Sequence, residues 1–200
     1  MSASRAGKVA GGLLLVSFCG LSAWTARAGR PVPTPIGVTR EYRLPARGAE
    51  VAAGRPVGGF ACSRATMPRF SVHLELFARR LVLLVPAGIG ISPPLRRDGA
   101  YVLGGRCSYP LRTREPTGVI EVGSVQPFRL GDAFRIWGQP LSPQRLAGFR
   151  TAGRVLAFVN GRRFSGDPRT IPLRRHDEIV LEIGGYIPPH TSYLFPKGSA

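Results

Sequence analysis

The clearest signal along the chain is alternation. Val72, Leu74 and Leu76 alternate with His73, Glu75 and Phe77, the period-two pattern of a β-strand. A second run, Leu81 to Val85, stops at Pro86, so the two segments predict a hairpin turning around Ala78 to Arg80. Val155 to Val159 leads into Asn160-Gly161, whose tolerance of positive φ suits a tight hairpin turn, and Arg162 to Phe164 begins the return strand. Ile179 to Ile183 alternates again and closes at Gly184-Gly185, a strand whose partner the pattern does not name. The two strand-turn-strand units, followed by Val85-Pro86 and Ile171-Pro172, predict an internal pseudo-repeat. Helical spacing is evident over one stretch: Leu130, Ala133, Phe134 and Trp137 share a face, Asp132 complements the helix dipole near the start, and Pro140 lies just beyond the end. Phe134 and Trp137 are read as core, since theirs is the apolar face available to pack. The expected fold class is mainly β (α+β): an antiparallel β-rich, sandwich-like domain with one short amphipathic helix.

Composition agrees with that pattern and divides the chain. With 26 Gly and 19 Pro in 200 residues, long helices and coiled coils are disfavoured. Residues 1–28 read as an export signal, with basic Arg5 and Lys8, an apolar stretch from Val9 to Trp24, and Ala26-Arg27-Ala28 as a small-x-small cleavage site at Ala26 and Ala28. An uncleaved anchor in the inner membrane stays open as the alternative, while bulky Phe18 before Cys19 argues against lipidation. Residues 29–59, rich in Pro, Gly and Arg, suit an extended linker, with Tyr42 and Leu44 able to form a short docking segment. Residues 60–196 make the globular domain and residues 197–200 a tail. Export leaves Cys62 and Cys107 in a periplasmic or secreted setting where disulfides persist, and the even count predicts that they pair.

Charge narrows the partners without naming one. The formal charge is +17, and 26 of the 28 basic residues are arginine. Such a field favours anionic envelope polymers or lipid headgroups. The arginines come as scattered pairs, without a long basic run or an aromatic-studded RNA-binding signature, so nucleic acid is disfavoured. No nucleophile elbow, Walker loop or dinucleotide fingerprint is present, so no catalytic residue or cofactor is expected. The three histidines, His73, His176 and His190, stand far apart: His73 is a candidate metal ligand if distant partners reach it, and His176 and His190 read as solvated turn residues. Glu75, Glu115 and Glu121 are the carboxylates placed to share chemistry with His73, with pairing to arginine as the plainer role.

Several segments, taken in order, resemble an uncharacterised group of exported or membrane-anchored microbial proteins over roughly residues 60–196. They are Cys62, Val72-His73-Leu74, Val85 to Ile91, Cys107 to Leu111, Thr117 to Ile120, Leu130 to Leu141 with its Trp137-Gly138-Gln139-Pro140-Leu141 end, and Val159-Asn160-Gly161. The resemblance implies a histidine-rich metal site: a His-x-His-x-His-Leu strand, a His-Thr-His-Asp segment after the second cysteine, and a later strand histidine. Here Arg69 and Ser71 stand at the first two strand positions, Arg112 and Arg114 flank Thr113, Glu115 replaces the aspartate and Glu121 the last histidine, so His73 alone matches. Guanidinium groups stay protonated and offer no lone pair, which implies a degenerate metal site. Arg69, Arg112 and Arg114 could then form an anion-binding pocket, or be neutralised by Glu115 and Glu121 as ion-paired scaffold. The leading expectation is a non-enzymatic binding or cell-envelope-associated module. A metal-binding protein or metalloenzyme using His73, and an adaptor for acidic polymers or lipids, are the alternatives.

Overall fold

The computed structural model describes residues 44–64, 67–123 and 126–196. The export signal with Ala26 and Ala28, Cys19, Tyr42 and the tail 197–200 lie outside the described residues. In chain order the elements are α1 (Ala49–Ala53), β1 (Phe70–Ala78), β2 (Leu81–Leu83), β3 (Ile91–Ser92), β4 (Arg96–Asp98), β5 (Tyr101–Gly104), β6 (Cys107–Ser108), β7 (Leu111–Arg112) and β8 (Val119–Val122). They continue with α2 (Leu130–Trp137), β9 (Leu141–Ser142), β10 (Arg145–Leu146), β11 (Phe149–Arg150), β12 (Leu156–Val159), β13 (Arg162–Phe164), a 3-10 turn (Pro168–Thr170) and β14 (Glu178–Ile183). The fold is mainly β, as the alternation predicts, and short antiparallel ladders surround one principal sheet.

That sheet runs β13-β12-β14-β1-β8-β7, with β2 added to β1 beyond the end of β8. Both hairpins read from the sequence form, and they lie on either side of β14. Asn160 and Gly161 turn the second with φ of 51° and 74°, while Arg79 and Arg80 turn the first with φ of 52° and 68°. Most pairings are antiparallel, as expected, but the principal sheet is mixed, since β14 runs parallel to β1 with His73 opposite Glu178 and Ala78 opposite Ile183. Alternation reports which side chains share a face and carries no information on strand direction. The long connection from β1 to β14 is ample for the crossover that parallel pairing requires.

The strand pleat sorts this sheet into two unlike faces. Val72, Leu74, Leu76 and Ala78 of β1 share one face with Ile179, Leu181 and Ile183 of β14, and all belong to the core cluster that includes Leu130, Ala133, Phe134, Ile136 and Trp137 of α2. Asp132 accepts from the Arg129 amide at 3.0 Å, closing the first turn of α2, and Trp137 Nε1 donates to the Pro45 carbonyl at 2.7 Å. The linker expectation is corrected within residues 44–59, where α1 folds, Val51 and Val57 are buried and Leu44 packs on the core; residues 29–43 lie outside the described residues. Val51 is the one residue that α1 buries, and with Val57 and Leu44 it makes too sparse a pattern to read as periodicity.

The opposite face is mixed, with polar side chains buried among apolar ones. Ser71, His73, Glu178 and Glu182 are each at most 3% exposed. Residues 184–196, which follow β14 without regular structure, run across it. The Ile187 amide donates to Glu182 Oε2 at 3.2 Å, His190 reaches Glu75, Tyr193 stacks on His73, and Phe195 stacks on His176. Ahead of β1 in the chain, Cys62 is joined to Cys107 by a disulfide beside the Ser63–Ser108 bridge. Among the described residues, no helix is long and apolar enough to cross a membrane.

Candidate metal centre

The site begins with the pairing of β1 and β14. In a parallel ladder, residues in register point to the same face, so His73 and Glu178 lie side by side although 105 positions apart. His73 Nδ1 and Glu178 Oε2 are 2.7 Å apart, with the two side chains 4% and 0% exposed. The other ring nitrogen, Nε2, lies 2.7 Å from the Thr117 carbonyl oxygen. A carbonyl can only accept, so Nε2 carries a proton and donates it. Nδ1 is then the nitrogen that faces Glu178, and one proton lies between it and Oε2.

Local backbone chemistry holds this geometry. The carbonyls of Thr117 and Gly118 accept from His73 Nε2 and from the Leu74 amide, the latter at 3.0 Å. Gly118 has φ of 87°, and a Cβ there would stand 2.3 Å from Leu74 O and 3.1 Å from His73 Nε2. A glycine is what lets the loop approach β1 closely enough to fix the ring. The Tyr193 ring covers the imidazole, with centroids 3.6 Å apart and planes 12° from parallel, and burial raises the Tyr193 hydroxyl above its ordinary pKa.

Glu75 is the next residue on the same face of β1. A ligand atom from each of His73, Glu75 and Glu178 lies within 4.8 Å of the others. Donor atoms of a tetrahedral site, each about 2.0–2.2 Å from the ion, lie about 3.4 Å apart, so side-chain adjustment on the order of an ångström would seat a small cation. Burial pushes Glu178 above the usual carboxylate range, against the opposing pull of the His73 hydrogen bond and charge. Its second oxygen, Oε1, is buried with no hydrogen-bond partner among the described residues. Glu75 is 21% exposed, and both its oxygens lie 2.9 Å from His190 Nδ1, a bond that raises the pKa of that histidine.

The arginine candidates occupy a different part of the sheet. Arg112, 3% exposed, donates to Glu121 Oε2 at 2.7 Å, and Arg114 Nε reaches both oxygens of the same carboxylate at 3.0 and 3.1 Å. Arg114 also donates to the Val102 carbonyl at 3.1 Å. Arg69 is exposed, and its carbonyl accepts from the Arg175 guanidinium. Arg112 and Arg114 are thus brought together on Glu121, with Arg69 outside that pairing. Thr113, between the two arginines, turns its hydroxyl to the Pro86 carbonyl at 2.6 Å.

Glu178 and Tyr193 escaped the sequence reading, and His190, expected as a solvated turn residue, is exposed but pairs with Glu75. Glu178 opens a strand buried along its whole length, and acids at 178 and 182 with apolar residues between them are the signal that could have exposed it. His190 and Tyr193 lie in a segment with no periodicity to place them. No protein-family model, curated protein or solved structure matches this chain.

Proposed function

We propose that the protein is an exported, non-enzymatic binding module that holds one divalent transition-metal cation on His73 Nδ1, Glu75 and Glu178. The observation that carries this reading is the wholly buried Glu178 carboxylate: one oxygen shares a proton with an oriented histidine, and the other has no hydrogen-bond partner among the described residues. A cation would answer both. The donor set of one neutral imidazole and two carboxylates suits zinc, iron or manganese, and neutralises a charge of two. The bond from Nε2 to Thr117 is the outer-shell contact that orients metal-binding histidines. An organic ammonium fits less well, because Glu178 lies behind His73 and Glu75 rather than in the wall of the adjoining cavity, within reach of a small ion only. Export is supported by the leader-like residues 1–28 and by the disulfide, a bond that persists in oxidising compartments.

The test is a zinc titration of chelator-treated protein by calorimetry, compared with the His73→Ala and Glu178→Gln variants. One equivalent is expected in the native protein, with release of the proton held between His73 and Glu178 and weaker uptake in acid. Each variant should lose at least about 100-fold in affinity, beyond the 10- to 100-fold typical of outer-shell contacts. Native protein that takes up no zinc, iron or manganese sinks the proposal.

A further inference from the structure

The three donors lie at one end of a cavity of about 370 Å³. Its place follows from the sheet. One side of β1 pairs with β8 as far as His73 and with β2 from Leu76 onward, so the edge at Leu74 and Glu75 lacks a continuous neighbouring strand. The hollow beside that break is walled by Phe77, Val82, Leu84, Val85 and Pro116, and His73, Glu75, His190 and Tyr193 supply polar groups at its end. Its size and its mainly apolar lining are those of a site for a small organic molecule, with few polar groups to orient the ligand.

We propose that this cavity takes a small ligand with an apolar body and an anionic oxygen-donor head, whose head completes the coordination of the cation. The inference rests on the metal reading above. Three protein donors leave a coordination position vacant, and with Glu178 behind, the vacant side is toward the cavity. Without a cation the polar end presents Glu75 already paired with His190, which offers an anionic head no net attraction; a divalent cation adds two positive charges there and attracts an oxygen donor. The apolar walls then select by length, since each buried methylene is worth about fourfold in affinity.

Hexanoate, acetate and hexylamine are the probes, titrated calorimetrically into the full chain with and without one equivalent of zinc. Hexanoate should bind at least about 30-fold more tightly with zinc than without, and at least about tenfold more tightly than acetate. Val82→Trp, which fills the hollow, should retain zinc and lose hexanoate. Zinc uptake with hexanoate no tighter than acetate overturns the ligand proposal alone, as does hexanoate binding unchanged by Val82→Trp. Hexylamine binding to the metal-free protein overturns it as well, since the carboxylates would then be taking an ammonium. Failure to take up zinc overturns both readings and is seen in the first titration.

Discussion

Glu182 should cost the fold stability at neutral pH, and Glu182→Gln should recover part of it. The side chain is 0% exposed, and its register neighbours are Phe77 on β1 and Leu156 on β12. Its Oε2 accepts from the Ile187 amide, and Oε1 has no hydrogen-bond partner among the described residues. Burial raises its pKa above the ordinary 4.5, with the Ile187 bond opposing. The folded chain then keeps a proton that the unfolded chain releases, so stability falls as pH rises from about 4.5 to the raised folded value and is level beyond it. Every tenfold difference in proton affinity between the folded and unfolded chain is worth about 1.4 kcal/mol. A glutamine keeps the acceptor for Ile187 and has no charge to desolvate, but it adds N–H donors in an apolar setting. An unanswered buried polar group costs about 1–3 kcal/mol, which offsets part of the gain from removing the charge. Urea unfolding of both proteins from pH 4 to pH 8 reads the difference directly. The gain should be present at pH 8 and should shrink as the pH falls toward 4, leaving only the pH-independent cost of the amide. A difference that stays constant across the range, or grows toward acid, refutes the reasoning.

Three further outcomes follow from features away from the metal donors. Replacing Arg79-Arg80 by Asn-Gly should stabilise the chain by about 1–2 kcal/mol in thermal unfolding, because both positions hold positive φ that arginine adopts at a cost. Opening the Cys62–Cys107 bridge by the double alanine variant should cost about 4 kcal/mol, the loop-closure entropy for a separation of 45 residues; denaturant midpoints unchanged by reduction would contradict this. Glu121→Ala should cost up to about 3 kcal/mol by removing the carboxylate that Arg112 and Arg114 share, and phosphate that restores the loss would favour an anion receptor over an ion-paired scaffold at this cluster.

Much of the architecture was legible because it follows from local rules. The alternation at Val72 to Phe77 and Ile179 to Ile183, the Asn160-Gly161 turn and the single face of Leu130 to Trp137 each depend on neighbours within a few residues. The parallel pairing of β1 with β14 does not. It joins two strands with no short connection, and with it goes the partner of His73. The segment after β14 was illegible for another reason. Its prolines and isolated rings have no period, and what orders it is contact with a sheet face that has to be assembled first.

These two blind spots coincide at the candidate centre. His73 was visible as a polar position opposite the apolar ones of its strand, with Glu75 next on the same face, yet a lone histidine on a strand is ordinarily satisfied by a hydrogen bond, and its partner at 178 was beyond local reach. Glu178 and Glu182 carry the complementary signal, since acids in a strand of otherwise apolar residues must be either exposed or answered. The structure buries both and answers them differently. Glu178 shares a proton with His73 in the donor cluster, whereas Glu182 meets a backbone amide among apolar neighbours. The burial that raises both carboxylates therefore has two settings on one strand: at Glu182 it is a cost to stability among apolar neighbours, and at Glu178 the carboxylate lies beside an imidazole and Glu75, the group on which the proposed cation would sit.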